Sequence, residues 1–373
     1  MTHTTPNLPL IHHSPTYFAS SNSSHGFASD YPTCFGQGSG VDMLYIIKGG
    51  PGTGKSRLMH HMAQVGISHG YTPTYYACSS DPSSLDGVRL DASGRPTIAL
   101  VDGTPPHVLE PTLAGVSQDI VNLGMFWDTR ILGANQAEIS SLTEAKTQCY
   151  HTAYHYLKGA GESLAVAETT LRHCLQTQKL ARLASRLTAN IHTGKGFLMT
   201  PAHTAALGMR GWASFDSYQH LAQEVVIVKS YYGVEYALMD MILSQLTRKK
   251  CQILLSRHPV HTHQILGIFE KSTATAFVVS SPRLPVESHP KGRAERVVDV
   301  RRYVIPRQLG ECRGELRHAL KLCEAMEDAA EGRLRSAAEY HFRLEEIYQQ
   351  SMDFGAKERY EGELAERIFA GRK

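Results

Sequence analysis

The sequence has little with which to staple itself together or to coat a polyanion. Its seven cysteines are odd in number and include no CxxC pair. Neither a disulfide framework nor a zinc knuckle is expected, and a reducing cytoplasm is the simpler setting. Charge of one sign is also scarce: 38 Lys and Arg against 35 Asp and Glu leave a formal net charge of +3. A nucleic-acid-coating protein needs a strong basic excess, so nucleic acid is not an expected partner. Long apolar runs are missing too. The most apolar stretch, residues 225–243, is broken by Lys229, Glu235 and Asp240, whereas a membrane span needs about 20 predominantly apolar residues. Residues 1–15 show no basic segment followed by an apolar core, so no secretory leader is expected. What remains is 373 residues, 42% hydrophobic and 20% charged. That is the composition of a folded chain with room for two ordinary domains or one large one.

One motif dominates. The apolar run MLYII at 43–47 has strand character and is followed by Lys48 and then by Gly49-Gly50-Pro51-Gly52-Thr53-Gly54-Lys55-Ser56. This matches GxxxxGK[ST], and the sequence after it reads as an amphipathic helix with Leu58, Met62 and Val65 on one face and Gly66 or Gly70 to end it. Glycines let successive backbone N–H groups converge on phosphate oxygens, and the helix dipole adds to that field. The spacing predicts phosphate binding by Gly50, Pro51, Gly52, Thr53, Gly54, Lys55 and Ser56, with Lys55 on the β- and γ-phosphates and the Ser56 hydroxyl on Mg²⁺. A second apolar run, 97–101, ends in Asp102, the position of a carboxylate that serves Mg²⁺ from a strand's C-terminal end. With a further strand expected at 73–78, the order implies a parallel sheet with the site at its C-terminal edge.

These residues resemble the P-loop NTPase superfamily. No [NT]KxD motif is present to read guanine and no LSGGQ signature to mark a transporter ATPase, so the resemblance implies ATP with Mg²⁺. Gly103, not Glu, follows Asp102, so the catalytic glutamate of AAA-type ATPases is missing from its usual place. The runs CSSDPSSLDG (78–87) and VDGTPPH (101–107) leave strand ends and are expected to overhang the γ-phosphate. Asp81, Asp86 and His107 are therefore candidates to orient a water or a substrate hydroxyl, against the plainer reading of Asp-Pro and Asp-Gly as turn formers. Together with YFAS at 17–20 and NLGMFWD at 122–128, these segments resemble a group of uncharacterised bacterial proteins of similar length, described as ATPases or nucleotide kinases with a duplicated P-loop fold.

The chain repeats itself. Residues 225–229 (VVIVK) mirror 44–48, with Lys229 lying 181 residues after Lys48, and 253–259 parallel 75–82. Residues 276–281 parallel 98–103, with Ser280 expected at the place of Asp102, and GWAS at 211–214 echoes GFAS at 26–29. At constant offset, Glu235, Tyr236 and Ala237 take the positions of Gly54, Lys55 and Ser56. A carboxylate there would repel phosphate, so the second copy is expected to be degenerate and structural or regulatory.

Each copy ends in a helical segment, 135–187 and 311–369. Asn135 with Glu138 suggests a capping box. Ile139, Leu142, Cys149, Tyr156 and Leu157 form an apolar stripe, with a break expected at Gly159 and Gly161. Leu316, Leu320, Met326, Leu334, Leu344, Ile347 and Tyr348 form a second stripe, read as core packing. His261-Thr262-His263 has no HExxH or Cys/His cluster beside it, so zinc is not expected there.

The expected architecture is α/β: two tandem P-loop-like three-layer domains, residues 1–190 and 191–373, with mainly parallel sheets and a helical hairpin on each. The expected function is a cytoplasmic Mg²⁺-dependent ATPase or ATP-dependent phosphotransferase. Lys55, Asp102, Asp81 and His107 are its candidate catalytic groups, and Ser56 and Asp102 its metal-side ligands. The alternative is a slow nucleotide-dependent switch acting on a protein partner.

Overall fold

The apolar run after residue 42 becomes the strand Met43–Lys48, paired in parallel on both edges and buried along its middle because Leu44 and Ile46 enter one apolar cluster and Tyr45 and Ile47 another on the opposite face. The computed structural model describes residues 7–8, 10–287 and 294–369; residues 1–6 and 9, part of the segment read against a secretory leader, lie outside them. Around Met43–Lys48 stands a mixed six-stranded sheet in the order Thr16–Phe18, Thr72–Ala77, Leu85–Asp91, Ile98–Asp102, Met43–Lys48, Gln118–Asn122. Only Leu85–Asp91 runs against its neighbours. Its residues were expected partly in a loop; they form a strand because Leu85, Val88 and Leu90 bury apolar side chains.

The second half repeats this order strand for strand: Leu198–Pro201, Gln252–Arg257, Ile265–Glu270, Thr275–Ser280, Glu224–Lys229, Ala294–Asp299. The echo of GFAS in GWAS is a pair of antiparallel hairpins, Ser20–Ser23 with Gly26–Ser29 and Ala205–Gly208 with Gly211–Phe215. Gly26 (φ 99°) and Gly211 (φ 82°) sit at their turns in the left-handed region that glycine tolerates best.

The sheets share a core. Leu44, Ile46, Ala99 and Val101 on one inner face cluster with Val225, Ile227, Ala276 and Val278 on the other. The short helices Tyr31–Phe35 and Ser217–Leu221 contribute Phe35 and Tyr218 to the same cluster. Thus the two copies do not each enclose a separate core on both faces of their sheet.

The tail helices correct the sequence reading. Gln136–Arg172 runs unbroken through Gly159 and Gly161. Those glycines mark close approach instead of a break, since an added Cβ would lie 3.2 Å from Met326 Sδ and 2.8 Å from Ser24 Cβ. The Asn135 side chain donates back to the Ile131 carbonyl and makes no cap bond at the helix start. Neither copy folds a hairpin on itself. Gln136–Arg172 packs antiparallel along Pro306–Gln350, with Glu138 paired to Arg343 near one end. The terminal helices are exchanged. Thr177–Leu187 packs through Leu180 and Leu183 into the cluster containing Val226 and Val228. Phe354–Phe369 packs through Leu364 and Ile368 beside Tyr45, Ile47 and Leu58 of the first copy. No helix among the described residues is long and apolar enough to cross a membrane.

Candidate functional site: a glycine-rich loop under the C-terminal helices

Between the end of Met43–Lys48 and the helix Lys55–Ser68, six residues make the loop that the motif marks. Gly52 (φ 71°) and Gly54 (φ 79°) adopt left-handed backbone, which closes the turn and starts the helix. The Thr53 hydroxyl fastens the loop by donating to the Gly50 carbonyl at 2.9 Å. Among the described residues, the backbone N–H groups of Gly52, Thr53, Gly54 and Lys55 find no protein acceptor. They form a nest of donors at the positive end of a 14-residue helix.

The other predicted residues converge on this loop. Lys55 Nζ donates to the Gly49 and Gly50 carbonyls at 3.0 and 2.9 Å and lies 3.5 Å from Asp102 Oδ2. Asp102 ends the strand Ile98–Asp102 directly beside Ile47. Its Oδ1 accepts from the Thr104 backbone and hydroxyl at 2.8 and 2.6 Å. Burial pushes the Asp102 carboxyl above its usual range, Asp86 adds to this, and Lys55 and Thr104 oppose it. Ser56 Oγ accepts the Leu85 N–H at 2.9 Å. Lys48 Nζ ties down the segment after Asp102, donating to the Gly103 and Leu109 carbonyls at 2.8 and 2.9 Å and to Glu110 at 2.6 Å.

His107 and Asp86 form a buried pair, 3.1 Å apart, and the imidazole stacks on Tyr31 at 4.7 Å between ring centroids. Burial alone would lower the His107 pKa, but the Asp86 carboxylate and then Asp102 outweigh it, so the net shift is upward from 6.5. The sign follows. The pair's stabilising contribution is fully present below about pH 6.5 and is lost as pH rises through the raised native value. An NMR titration of His107 should give a midpoint above 6.5, and Asp86→Asn should lower it. A native midpoint at or below the ordinary histidine value would contradict this arrangement.

Asp81 goes elsewhere. Its carboxylate accepts from Arg210 Nε and Nη2 at 3.0 and 3.2 Å and from the Ser83 backbone and hydroxyl at 3.1 and 2.7 Å. Arg210 belongs to the second copy's hairpin turn, where Met209 N also donates to the Ser80 carbonyl at 2.8 Å. The predicted residues therefore separate into Lys55, Ser56, Asp86, Asp102 and His107 at the loop, and Asp81 at the contact between copies.

Several residues meet the loop that no pattern in the sequence places there. The end of Pro306–Gln350 lies across the glycines: an added Cβ on Gly52 would come 2.5 Å from the Glu345 carbonyl oxygen, and one on Gly50 3.1 Å from Tyr348 and 3.3 Å from Trp127. Lys357, from the terminal helix, is 1% exposed, pairs with Glu361 and sits 3.0 Å from where a Gly54 Cβ would stand. Lys146 on the first long helix is lowered in pKa by burial and by the charge of Lys55, partly offset by Glu345. Of these, Trp127 falls in the NLGMFWD run and Tyr348 in the second apolar stripe, but neither pattern places its residue at the loop.

The second copy shows what replaces this loop. Helix Val234–Arg248 begins at Gly233 (φ 98°) after only four loop residues, so Gly233 takes the place of Gly54, Val234 of Lys55 and Glu235 of Ser56. Tyr236 and Ala237 were expected at the positions of Lys55 and Ser56; a two-residue shortening of the loop moves them one half-turn into the helix. Glu235 Oε2 accepts the Tyr231 and Gly233 N–H groups at 2.8 and 3.2 Å. Burial raises the Glu235 carboxyl, against those same N–H groups, which lower it. The chain's own carboxyl thus fills the nest. Strand register makes a second correction: Val279, paired with Val228, stands where Asp102 pairs with Ile47, and Ser280 falls one position later.

Compared with protein-family models, with curated proteins and with solved structures, the chain matches none. The functional reading accordingly rests on the geometry alone.

Proposed function

We propose that the chain binds Mg²⁺-ATP at residues 50–56 and acts as an ATPase or an ATP-dependent phosphotransferase. The observation that carries this reading is the contrast between two equivalent loops. In the first copy no acceptor among the described residues meets the N–H groups of residues 52–55, which lie beside a lysine and a carboxylate, whereas in the second a buried glutamate accepts two of the equivalent groups, those of Tyr231 and Gly233. A nest of unmet donors, a lysine and a strand-end carboxylate make a donor set suited to a nucleotide's phosphates and their metal.

In this proposal Lys55 exchanges its two carbonyl partners for phosphate oxygens. Ser56 Oγ and Asp102 lie on the metal side, and Mg²⁺ supplies neutralisation of phosphate charge. His107, held by Asp86, is the candidate to take a proton from water or from an acceptor hydroxyl. The cytoplasmic setting is part of the proposal, and the seven free thiols support it.

The second reading, a nucleotide-dependent switch, is favoured by one specific contact: the ends of two C-terminal helices rest on Gly50, Gly52 and Gly54. A ligand that reshapes the loop would press directly on those helices, which tie the two copies together. Single-turnover hydrolysis of ATP with and without candidate nucleosides separates the two. Acceleration by one acceptor, with phosphate recovered on it, establishes transfer and removes the switch. Calorimetry should also find one nucleotide per chain, and two would show that the Glu235 loop binds nucleotide as well.

A further inference from the structure

The long helix Pro306–Gln350 carries Cys323 and Glu327 one turn apart, on the side that faces the loop after Gln252–Arg257. From that loop His261 enters. Its Nε2 lies 2.9 Å from Glu327 Oε1 and 3.5 Å from Cys323 Sγ, and Sγ lies 3.9 Å from Oε1. All three residues are buried, at 3%, 5% and 4% exposure for His261, Cys323 and Glu327.

We propose that His261, Cys323 and Glu327 bind one zinc ion that fastens this loop to the long helix. Nitrogen, thiolate and carboxylate ligands at ordinary zinc distances, about 2.0–2.3 Å in tetrahedral array, lie about 3.3–3.6 Å from one another. The three observed separations bracket those edges, so a metal can be taken up by shifts of about half an ångström. A buried imidazole, thiol and carboxylate converging within 4.8 Å is a donor set for a borderline divalent metal, not for calcium or magnesium.

The surroundings orient the ligands. Arg283 Nε approaches the other Glu327 oxygen at 3.3 Å, while Arg283 Nη2 pairs with Asp328 at 2.8 Å and its guanidinium lies over Trp212. Glu327 Oε1 is thereby left toward the cluster. His258 stacks on His261 at 5.0 Å, and its Nδ1 accepts the Val260 and His261 N–H groups at 3.3 and 3.1 Å, which fixes the loop backbone beneath the ligand. His261 Nδ1 is buried and has no hydrogen-bond partner among the described residues, so the ring is placed by the cluster at Nε2 and by the His258 stack. Uptake would release the Cys323 thiol proton to solvent and move the proton that His261 Nε2 holds toward Glu327 to Nδ1 or to solvent, leaving Zn²⁺ opposed by one thiolate and one carboxylate.

The site's place in the fold gives it a purpose. In the first copy the matching loop meets its long helix through the Tyr150 hydroxyl on Ser80 Oγ at 3.0 Å. The second copy, its phosphate nest filled from within, would hold the equivalent junction with a metal.

The test is cobalt substitution of the metal-stripped full-length chain. One Co²⁺ per chain should bind with a tetrahedral visible spectrum and a thiolate-to-cobalt charge-transfer band, and Zn²⁺ should displace it. Cys323→Ser should abolish that band, and Glu327→Gln should weaken binding at least about tenfold. If either variant fails to fold, the wild-type spectrum still decides. A band that persists in Cys323→Ser, a six-coordinate spectrum without the band, or no stoichiometric uptake by the wild-type chain would overturn the proposal.

Discussion

Lys55→Ala should lower affinity for Mg²⁺-ATP by at least about 100-fold while leaving the circular dichroism spectrum unchanged. Charge-assisted bonds to phosphate are worth about 1.5–3 kcal/mol each, and about 3 kcal/mol corresponds to about 100-fold in Kd. The fold should survive because Lys55 Nζ now bonds only loop carbonyls and Asp102 at 3.5 Å, and contributes nothing to the apolar clusters. Asp102 would lose a charge that lowers its pKa, so its carboxyl should titrate higher still in the variant. Isothermal calorimetry on the purified chain checks the first statement. Affinity equal to wild type would remove residues 50–56 from the proposed site.

Lys357→Ala should cost about 3–5 kcal/mol of stability, the range for a buried ion pair that loses one partner. Lys357 and Glu361 are 1% and 5% exposed and face each other one helical turn apart. Without the ammonium, Glu361 is a buried carboxylate with its charge uncompensated. A domain has only about 5–15 kcal/mol in hand, so the loss should show as a large fall in the denaturation midpoint. Lys357→Met with Glu361→Leu should recover most of it, because the double change removes both charges and keeps the volume. A single-variant loss below about 1 kcal/mol would mean that the pair is solvated, with less weight in anchoring the helix against Gly54 than its burial indicates.

Much of the sheet was legible because parallel strands buried on both faces appear as short apolar runs, as at 43–47 and 225–229. The strand Leu85–Asp91 was not, since Asp86, Arg89 and Asp91 interrupt its apolar residues and Asp-Gly reads as a turn. The glycine-rich turn between strand and helix was legible because glycine spacing and a following amphipathic pattern fix that backbone. Its degenerate counterpart was located but misaligned. A gapless offset carries no record of a two-residue loop deletion, and strand register is set by pairing across space.

The helices show the limit most plainly. The apolar stripes on the long helices were visible, and a stripe fixes which face is buried. It carries nothing about the partner, so hairpins were expected where the two copies in fact pair their long helices and exchange their terminal ones. The same limit hid Arg210, Lys357 and the meeting of His261 with Cys323 and Glu327: Arg210 lies 129 residues from Asp81, His261 lies 62 residues from Cys323, and Lys357 reaches Gly54 from the far end of the chain.

By itself, then, the sequence determined the α/β class, the internal duplication and one loop chemically fit for phosphate, because these depend on periodicity and local backbone demands. Only the tertiary structure decided that two sheets share one core and that the second copy's helices roof the first copy's loop. It also decided that a glutamate fills the vestigial nest. Those outcomes turn on which buried face meets which, and long-range packing settles that after local structure has been chosen.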